Sequence, residues 1–591
     1  MNNRRCGENT VLTAVMTPLT FMKPTLILST CITALGFAAE PLDRFKPKEP
    51  EPLAKEKESK IEAKPSRTAP KSGDAQGKAR LRGLAFVASK PQLRADGAKA
   101  EDGVRISGVP MLDNPSFRAR IAKFIGQSLN FDLVNAVAAE TARYFKEHNH
   151  PVVSVVAPRQ DVTDGVVKYL VTEARLGVVR ITGNRHFKSS LFKTGLSPGG
   201  PIVMSTLEND SAFYGRNPFR SVTAEMSPGK HSGETDVMLR VEDKFPLRVF
   251  AGYDNSGVQS TGEHRLFTGF NYGNLFGLGH ELSYQFSSST DFAQLLAHSA
   301  TWTMPLPWHD VFAISGTYSE SNPKSLGAGL QLKGTSWQVG PHYTHFLPPV
   351  GKLKHEITLG FDFKYTDNNL QFGGVQVFST PIDVSEFSLA YNASLPDRLG
   401  RTALALAGFW APGGIGSNNN NAAFMAARQG STSDYLYATL GIDRTTKLPL
   451  GLTWSLTVRG QLASGNLPAT EQFFIGGQGT VRGYNELSAA GDQGVLVRNE
   501  IYLPSFSVGK LTHVPQMHDE FQFLVFHDFG VTSIKHPLIG ETKNTELQSA
   551  GVGARWQIRQ NLSAHFDYGW QINDLGFRDK SRAHVGATLS F

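Results

Sequence analysis

From Leu247 to Phe591 the chain alternates residue by residue, and that period of two constrains its fold more than any other feature. Leu247, Val249, Ala251 and Tyr253 alternate with Arg248 and Gly252, and Leu282, Tyr284 and Phe286 with Glu281, Ser283 and Gln285. Ile357, Leu359, Phe361, Phe363 and Tyr365 alternate with Thr358, Gly360, Asp362 and Lys364. Leu452, Trp454, Leu456 and Val458 do the same, as do Leu562, Ala564, Phe566, Tyr568 and Trp570. Successive side chains of a strand point to opposite faces, so each segment has one apolar, aromatic face and one polar face. A soluble sandwich also alternates, but it does not usually gather aromatics near the strand ends of one face with glycine and charge on the other. A membrane barrel accounts for both faces, lipid outside and a wet lumen within. A lysine facing lipid at the bilayer midplane costs about 2–4 kcal/mol, which places Lys364 inward. Strands of about 9–11 residues with their turns predict roughly 16 strands for this length. In Phe521 to Asp528 the phase is mixed: turning Asp528 inward also turns Leu524 and Phe526 inward, and periodicity offers no reason for it.

Composition sets what precedes the barrel. A chain of 591 residues is too long for one core. After the N-terminal stretch no run of 18 apolar residues exists, so helical membrane spans are excluded. Leu26 to Phe37 is an apolar run followed by Ala38 and Ala39, which predicts a signal peptide over residues 1–38. Met22-Lys23 offers a better proportioned start than Met1, and both starts stay open. The only cysteines, Cys6 and Cys31, lie in this stretch. Thr30 before Cys31 and apolar residues after it speak against lipidation, and the rest of the chain has no thiol chemistry. Residues 39–80 are rich in proline and lysine and hold much of the formal charge of +7. They read as a linker in which Leu53 to Lys64 is the one window for a short helix.

Residues 81–175 and 176–246 change period. In the first, strand pieces at Leu84, Phe86 and Gly103 to Ile106 precede helical spacing at Phe117, Ile121, Leu133, Val137 and Tyr144. Strand chemistry then returns at Val152 to Val156 and Val166 to Val171. The second repeats the order: Val178 to Thr182, a helix over Ser205 to Tyr214, and a hairpin of Phe219 to Glu225 with Thr235 to Val241 around Pro228-Gly229. Two tandem α+β modules therefore precede the barrel.

Val481-Arg482-Gly483-Tyr484 is preceded by Glu471-Gln472-Phe473 and Gly476-Gly477 and followed by Arg498-Asn499-Glu500. On these residues the chain resembles the two-partner secretion transporters, the TpsB type of the ShlB/FhaC/HecB haemolysin secretion/activation family, within the superfamily that contains BamA. Asp254 to Gly257 and Asn274 to Gly279 are similar to that family's first hairpins, and both modules resemble POTRA (polypeptide-transport-associated) domains. In the first module Pro158, Gln160, Asp161 and Gly165 match, and in the second Gly183, Pro218, Pro228 and Gly229 match. His148-Asn149-His150 departs from the family's usual glycine-aromatic pair. His584, Gly586, Leu589 and Phe591 look like the C-terminal signal read by the barrel-assembly machinery.

The resemblance implies a mainly β fold: a 16-stranded transmembrane β-barrel over 247–591 behind two periplasmic POTRA domains, with an inward loop near 471–490. It implies that Arg482 pairs with a carboxylate on the inner wall, and Asp528 is the matching position. A guanidinium in such a place gains from bidentate pairing and is costly if left half-desolvated. In that family a helix before the first POTRA domain plugs the barrel, and Leu53 to Lys64 is the candidate here. The implied activity is export of a large, repeat-rich, β-helical partner exoprotein across the outer membrane, with lipid and the assembly machinery as further partners. No cofactor, metal, nucleic acid or catalysis is implied. Gly477-x-Gly479 has the wrong spacing for a phosphate loop, and His280-Glu281 and His355-Glu356 lack the second histidine of a zinc site. Asn418 to Asn421 reads as a flexible loop tip. The rival readings are a BamA-type assembly factor and a passive porin, and the identity of the cargo is not legible.

Overall fold

The computed structural model describes residues 41–49, 79–95, 102–231, 233–323, 330–372, 375–573, 576 and 579–591. The signal peptide and the window Leu53 to Lys64 lie outside them.

The first module is a four-stranded sheet in the order Gly103–Ser107, Gly83–Val87, Val166–Glu173, Val153–Val156, covered by helices Pro115–Ala122 and Phe131–Glu147. Each helix starts where an asparagine accepts from the third residue beyond it: Phe117 N–H donates to Asn114 at 2.9 Å and Leu133 N–H to Asn130 at 2.7 Å. Phe86, Phe117, Tyr144 and Tyr169 form the core, with ring centroids 5.0 to 5.3 Å apart. The departure at His148-Asn149-His150 has a physical reason. Asn149 follows the long helix with φ +68°, a left-handed position that glycine fills most readily and asparagine next.

Gln160 lies across the sheet edge, its amide accepting from Lys168 N–H and donating to Lys168 O, both at 2.8 Å, like a strand residue. The loop begins at Pro158, whose carbonyl also accepts from Gln160, and Asp161 holds the next turn through Thr163 N–H at 3.0 Å. Gly165, at φ +77°, lies so close to Arg80 that a Cβ would stand 2.5 Å from its carbonyl oxygen.

The second module has strands in the order Arg175–Thr182, Glu234–Asp243, Arg220–Pro228, with helix Met204–Tyr214 across them. Thr235, Val237, Leu239 and Val241 all face the core. Gly183, at φ +84°, approaches Val241 O, and Gly229 after Pro228 closes the hairpin by donating to Glu234 O at 2.9 Å. This module docks on the barrel. Asn217 donates to Gly273 O at 2.7 Å, a Cβ on Gly273 would stand 2.2 Å from the Phe219 ring, and the Arg216 guanidinium lies 3.4 Å over Phe346. Pro218 lines the cavity left at this junction.

The barrel closes 16 antiparallel strands. A further short strand, Val375–Ser379, is an arm at the far end, away from the modules, where Leu330–Val350 and Leu353–Phe372 extend to 21 and 20 residues. The closing seam joins Phe250–Asp254 to Gly586–Ser590. Beyond it Asn255 extends the ladder with its side chain, donating to Ala583 O and accepting from Val585 N–H, both at 2.8 Å. Lys364 points into the lumen.

One stretch of the segment read as linker is folded. Leu42–Phe45 makes a 3-10 turn inside the barrel, and Leu42 and Phe45 are buried against Leu295 and Ala297 of the inner wall. The chain then descends towards the modules, where Lys48 O accepts from Asn271 and Lys48 N–H donates to Gln285.

Glu140 of the first module is buried and hydrogen-bonded to Arg120, which holds its carboxyl below the ordinary glutamate value against the opposing effect of burial. Its contribution to stability is therefore complete above the unfolded value of about 4.3 and is lost as pH falls below it through the folded value. Amide protection factors of Phe131–Glu147 in the full-length protein, corrected for intrinsic exchange, should fall as the pH drops below about 4.3. Glu140→Gln should flatten that dependence, and an unchanged profile in the variant would refute the assignment.

Candidate functional site

Strands Thr453–Ala463 and Gln493–Tyr502 are neighbours in the wall, but the chain between them enters the lumen from the far end. Phe473–Ile475 and Ala489–Gly491 pair as its stem, and Val481, Arg482, Gly483 and Tyr484 lie buried at its tip. Gly476 and Gly477, at φ +101° and +103°, turn the chain, and Gly477 N–H donates to Val481 O at 3.0 Å.

Arg482 is 0 % exposed. Its Nε and Nη2 donate to the two oxygens of Asp528 at 2.7 and 2.8 Å, and its backbone N–H to the same carboxylate at 3.1 Å. Nη1 reaches Glu500 at 2.7 Å and Asp567 at 3.3 Å. Arg498 approaches Glu500 and Asp528 at 3.4 and 3.6 Å, and Arg555 approaches Asp567 at 3.0 Å. Three guanidinium groups thus face three carboxylates, a balance that a buried network requires.

The mixed phase of Phe521 to Asp528 finds its cause here. Phe526 faces inward because the Arg482 guanidinium lies 3.5 Å over its ring. Glycines on the next strand make the room: a Cβ on Gly551 would meet the Phe526 ring at 2.3 Å, and one on Gly553 would meet Leu524 at 3.2 Å.

The rest of the tip is held by backbone. Gly483 N–H donates to His584 Nε2 at 3.1 Å, and Gly483 O accepts from Gln571 at 2.8 Å. Gly483, at φ +87°, lies flush on Gly569: a Cβ on either would stand 2.9 or 2.7 Å from the other's backbone. Tyr484 donates to Gln548 O at 3.0 Å. Of the C-terminal residues, His584 is buried under the loop and Gly586 faces the lumen beside His565, while Leu589 and Phe591 are exposed on the outer face.

The descending limb is held apart from the tip. Asp492, fully buried, accepts from Arg428 Nη1 at 2.5 Å, Leu467 N–H at 2.9 Å and Lys535 N–H at 2.8 Å. Arg428 ends a loop that folds inward, so Asn418 to Asn421 is an ordered cap and not a loose tip. Asn418 N–H donates to Asp383 at 2.9 Å, and Asn420 caps helix Asn421–Ala427, whose Phe424 packs on Tyr435, Tyr437 and Leu467. The luminal turn also reaches the loop, with Arg44 donating to Glu486 at 3.0 Å.

Asp528 was the one wall partner proposed from sequence. Glu500 stood in the run Arg498-Asn499-Glu500 without a role, and Asp567 lies on the inward phase of Leu562 to Trp570, where alternation marks its face but not its partner. Nothing in the sequence pattern pointed to Gly569, Gln571 or the contact of His584 with Gly483.

Residues 233–556 match the sequence model of the family described as haemolysin secretion/activation protein ShlB/FhaC/HecB. The chain is 22% identical over 448 residues to the heme/hemopexin transporter protein HuxB of Haemophilus influenzae, covering 73% of this chain and 76% of that protein. It is 23% identical over 439 residues to the outer membrane transporter CdiB of Dickeya dadantii, covering 70% and 74%. The solved structure of CdiB from Escherichia coli superposes with a TM-score of 0.69 at 18% identity, over 97% of this chain and 100% of that one.

Because Arg482 is enclosed, trypsin should leave the Arg482-Gly483 bond of the folded barrel intact. Gly569→Ala, on a different strand, should displace the tip and expose that bond, as should Gly483→Ala, while the barrel keeps its heat-modifiable mobility. A Gly569→Ala loop as resistant as the native one would show that close backbone approach is not what holds it.

Proposed function

Since the chain belongs to the ShlB/FhaC/HecB haemolysin secretion/activation family, and so is an outer-membrane β-barrel with periplasmic POTRA domains and a secretion role, we propose that it recognises an unfolded partner exoprotein with those domains and passes it through the lumen to the cell surface. The observation that carries this reading is the inward loop, a polar-walled lumen organised around a buried, charge-balanced Arg482.

Recognition follows from open sheet edges. The first POTRA sheet ends in Gly103–Ser107 and Val153–Val156, and the second in Arg175–Thr182 and Arg220–Pro228. Gly200 and Pro201 cover the start of Arg175–Thr182, but Val178 beyond them is 52% exposed, as is Val156. An extended chain adds to such edges by main-chain hydrogen bonds, which give affinity with little demand on sequence. The periplasm supplies no nucleoside triphosphate, so folding of the product outside, which prevents its return, drives export. The cargo of this chain is a secreted protein whose extended segments suit strand addition.

Arg482→Ala leaves three carboxylates facing two guanidinium groups. The loss of one partner from such a buried network costs about 3–5 kcal/mol, enough to undock the tip. Export of the partner exoprotein should fall on the order of tenfold or more while the barrel remains inserted. Undiminished export would remove the loop from the mechanism. Deletion of residues 81–245 separates transporter from porin: solute flux should persist and export should vanish.

A further inference from the structure

The inner wall carries a second charged cluster that the tip network does not touch. Lys364 Nζ donates to Glu386 at 3.0 Å and to both oxygens of Glu471 at 2.9 Å. Tyr435 donates to Glu386 at 3.1 Å and Tyr437 to Glu471 at 2.9 Å. The side chains of Glu386 and Glu471 are 1% and 4% exposed. Glu386 belongs to strand Ile382–Pro396, where it pairs with Asp362 on one side and its neighbour Phe387 opens the ladder to Trp410 on the other. Glu471 lies in the 3-10 turn Ala469–Glu471 at the root of the loop's ascending limb, where Gln461 also holds its carbonyl at 2.8 Å. Asp362 beside the cluster is taken up by His342 at 3.2 Å, and Asp43 of the luminal turn by Lys46 at 2.9 Å.

We propose that Lys364 is a positioning residue for the inward loop: it keeps the ascending limb in place by neutralising the repulsion between two buried carboxylates, Glu386 on the wall and Glu471 on the limb. The repulsion acts unequally. Glu386 cannot move without breaking the barrel wall, whereas Glu471 can leave with its limb. Removing the lysine therefore ejects the root of the loop. Neutralising Glu471 instead leaves a Lys364–Glu386 pair and a polar side chain still within reach of Tyr437. Each substitution breaks the same Lys364–Glu471 pair, so the order of severity is set by the charge left behind.

The test uses four variants of the full chain, Lys364→Met, Glu471→Gln, the two combined, and Lys364→Arg, each also carrying Ile475→Cys on the stem, where the native side chain is 0% exposed. Labelling of that cysteine by a membrane-impermeant maleimide reports loop position without any cargo, and export of the partner exoprotein reports transport. Lys364→Met should raise labelling about fivefold or more and lower export about tenfold, while Glu471→Gln and Lys364→Arg change each by less than about twofold. The combined variant should lie closer to the native protein than Lys364→Met does. Native behaviour of Lys364→Met, or a combined variant no better than it, would overturn the proposal. If Lys364→Met leaves no folded barrel, folding becomes the readout: recovery in the combined variant supports the repulsion and failure to recover refutes it. The transport reading enters only through the export arm. Absence of export from the native chain would strike that reading and leave the labelling order to decide this one.

Discussion

A guanidinium withdrawn from water must find its counter-charges already in place, and the far half of this barrel is arranged around that demand at Arg482. Asp528, Glu500 and Asp567 come from three strands, and they meet because the register pairs Arg498 with Asp528 and places Asp567 beside Gly553. A slip of one residue on any of these strands would turn its carboxylate out to lipid and leave the arginine uncompensated. The same arginine explains an inward Phe526, the glycines opposite it, and the presence of Arg498 and Arg555, which restore neutrality to a patch that would otherwise hold three negative charges and one positive.

The barrel was legible because alternation is a direct consequence of a two-faced strand, and with Lys364 it also told inside from outside. What fills the inside was less legible. Period two reports which face a residue takes, not which residue it meets, so alternation marked the face of Asp567 without its partner, and Glu500 carried no role at all. Phe526 looked like an error of phase until the cation over its ring was seen. The helices of the first POTRA domain were marked by the spacing of Phe117, Ile121, Leu133, Val137 and Tyr144. The departure at Asn149 became intelligible only once its left-handed backbone was known.

The luminal turn was missed for a different reason. A proline- and lysine-rich stretch with few apolar residues cannot bury enough surface by folding on itself, and that reasoning holds for residues 41–49 taken alone. Leu42 and Phe45 are covered by another domain, Leu295 and Ala297 of the wall, so composition judged the segment against the wrong partner. The same applies to Asn418 to Asn421, whose polar run looked loose but ends in a capped helix with Phe424 beneath it.

A polar lumen also dictates how a loop inside it can be held. The apolar contacts of the stem and tip, Ile475, Val481, Tyr484 and Ala489 against Leu496 and Leu547, form one small cluster. Too little greasy surface exists on a wet wall to position the loop by area alone. Its place is set by discrete contacts: Arg482 at the tip, Lys364 between Glu386 and Glu471 beside one limb, Asp492 on the other, and the flush approach of Gly483 to Gly569. Discrete contacts are directional, so they specify a single pose, and each depends on a single residue that can be removed. A loop held this way is exact in position yet releasable at one point without losing the others, because breaking one ion pair does not expose apolar surface shared by the rest. Such a division gives a lumen that is ordered at rest and can be opened locally, which is what the proposed passage of an exoprotein requires.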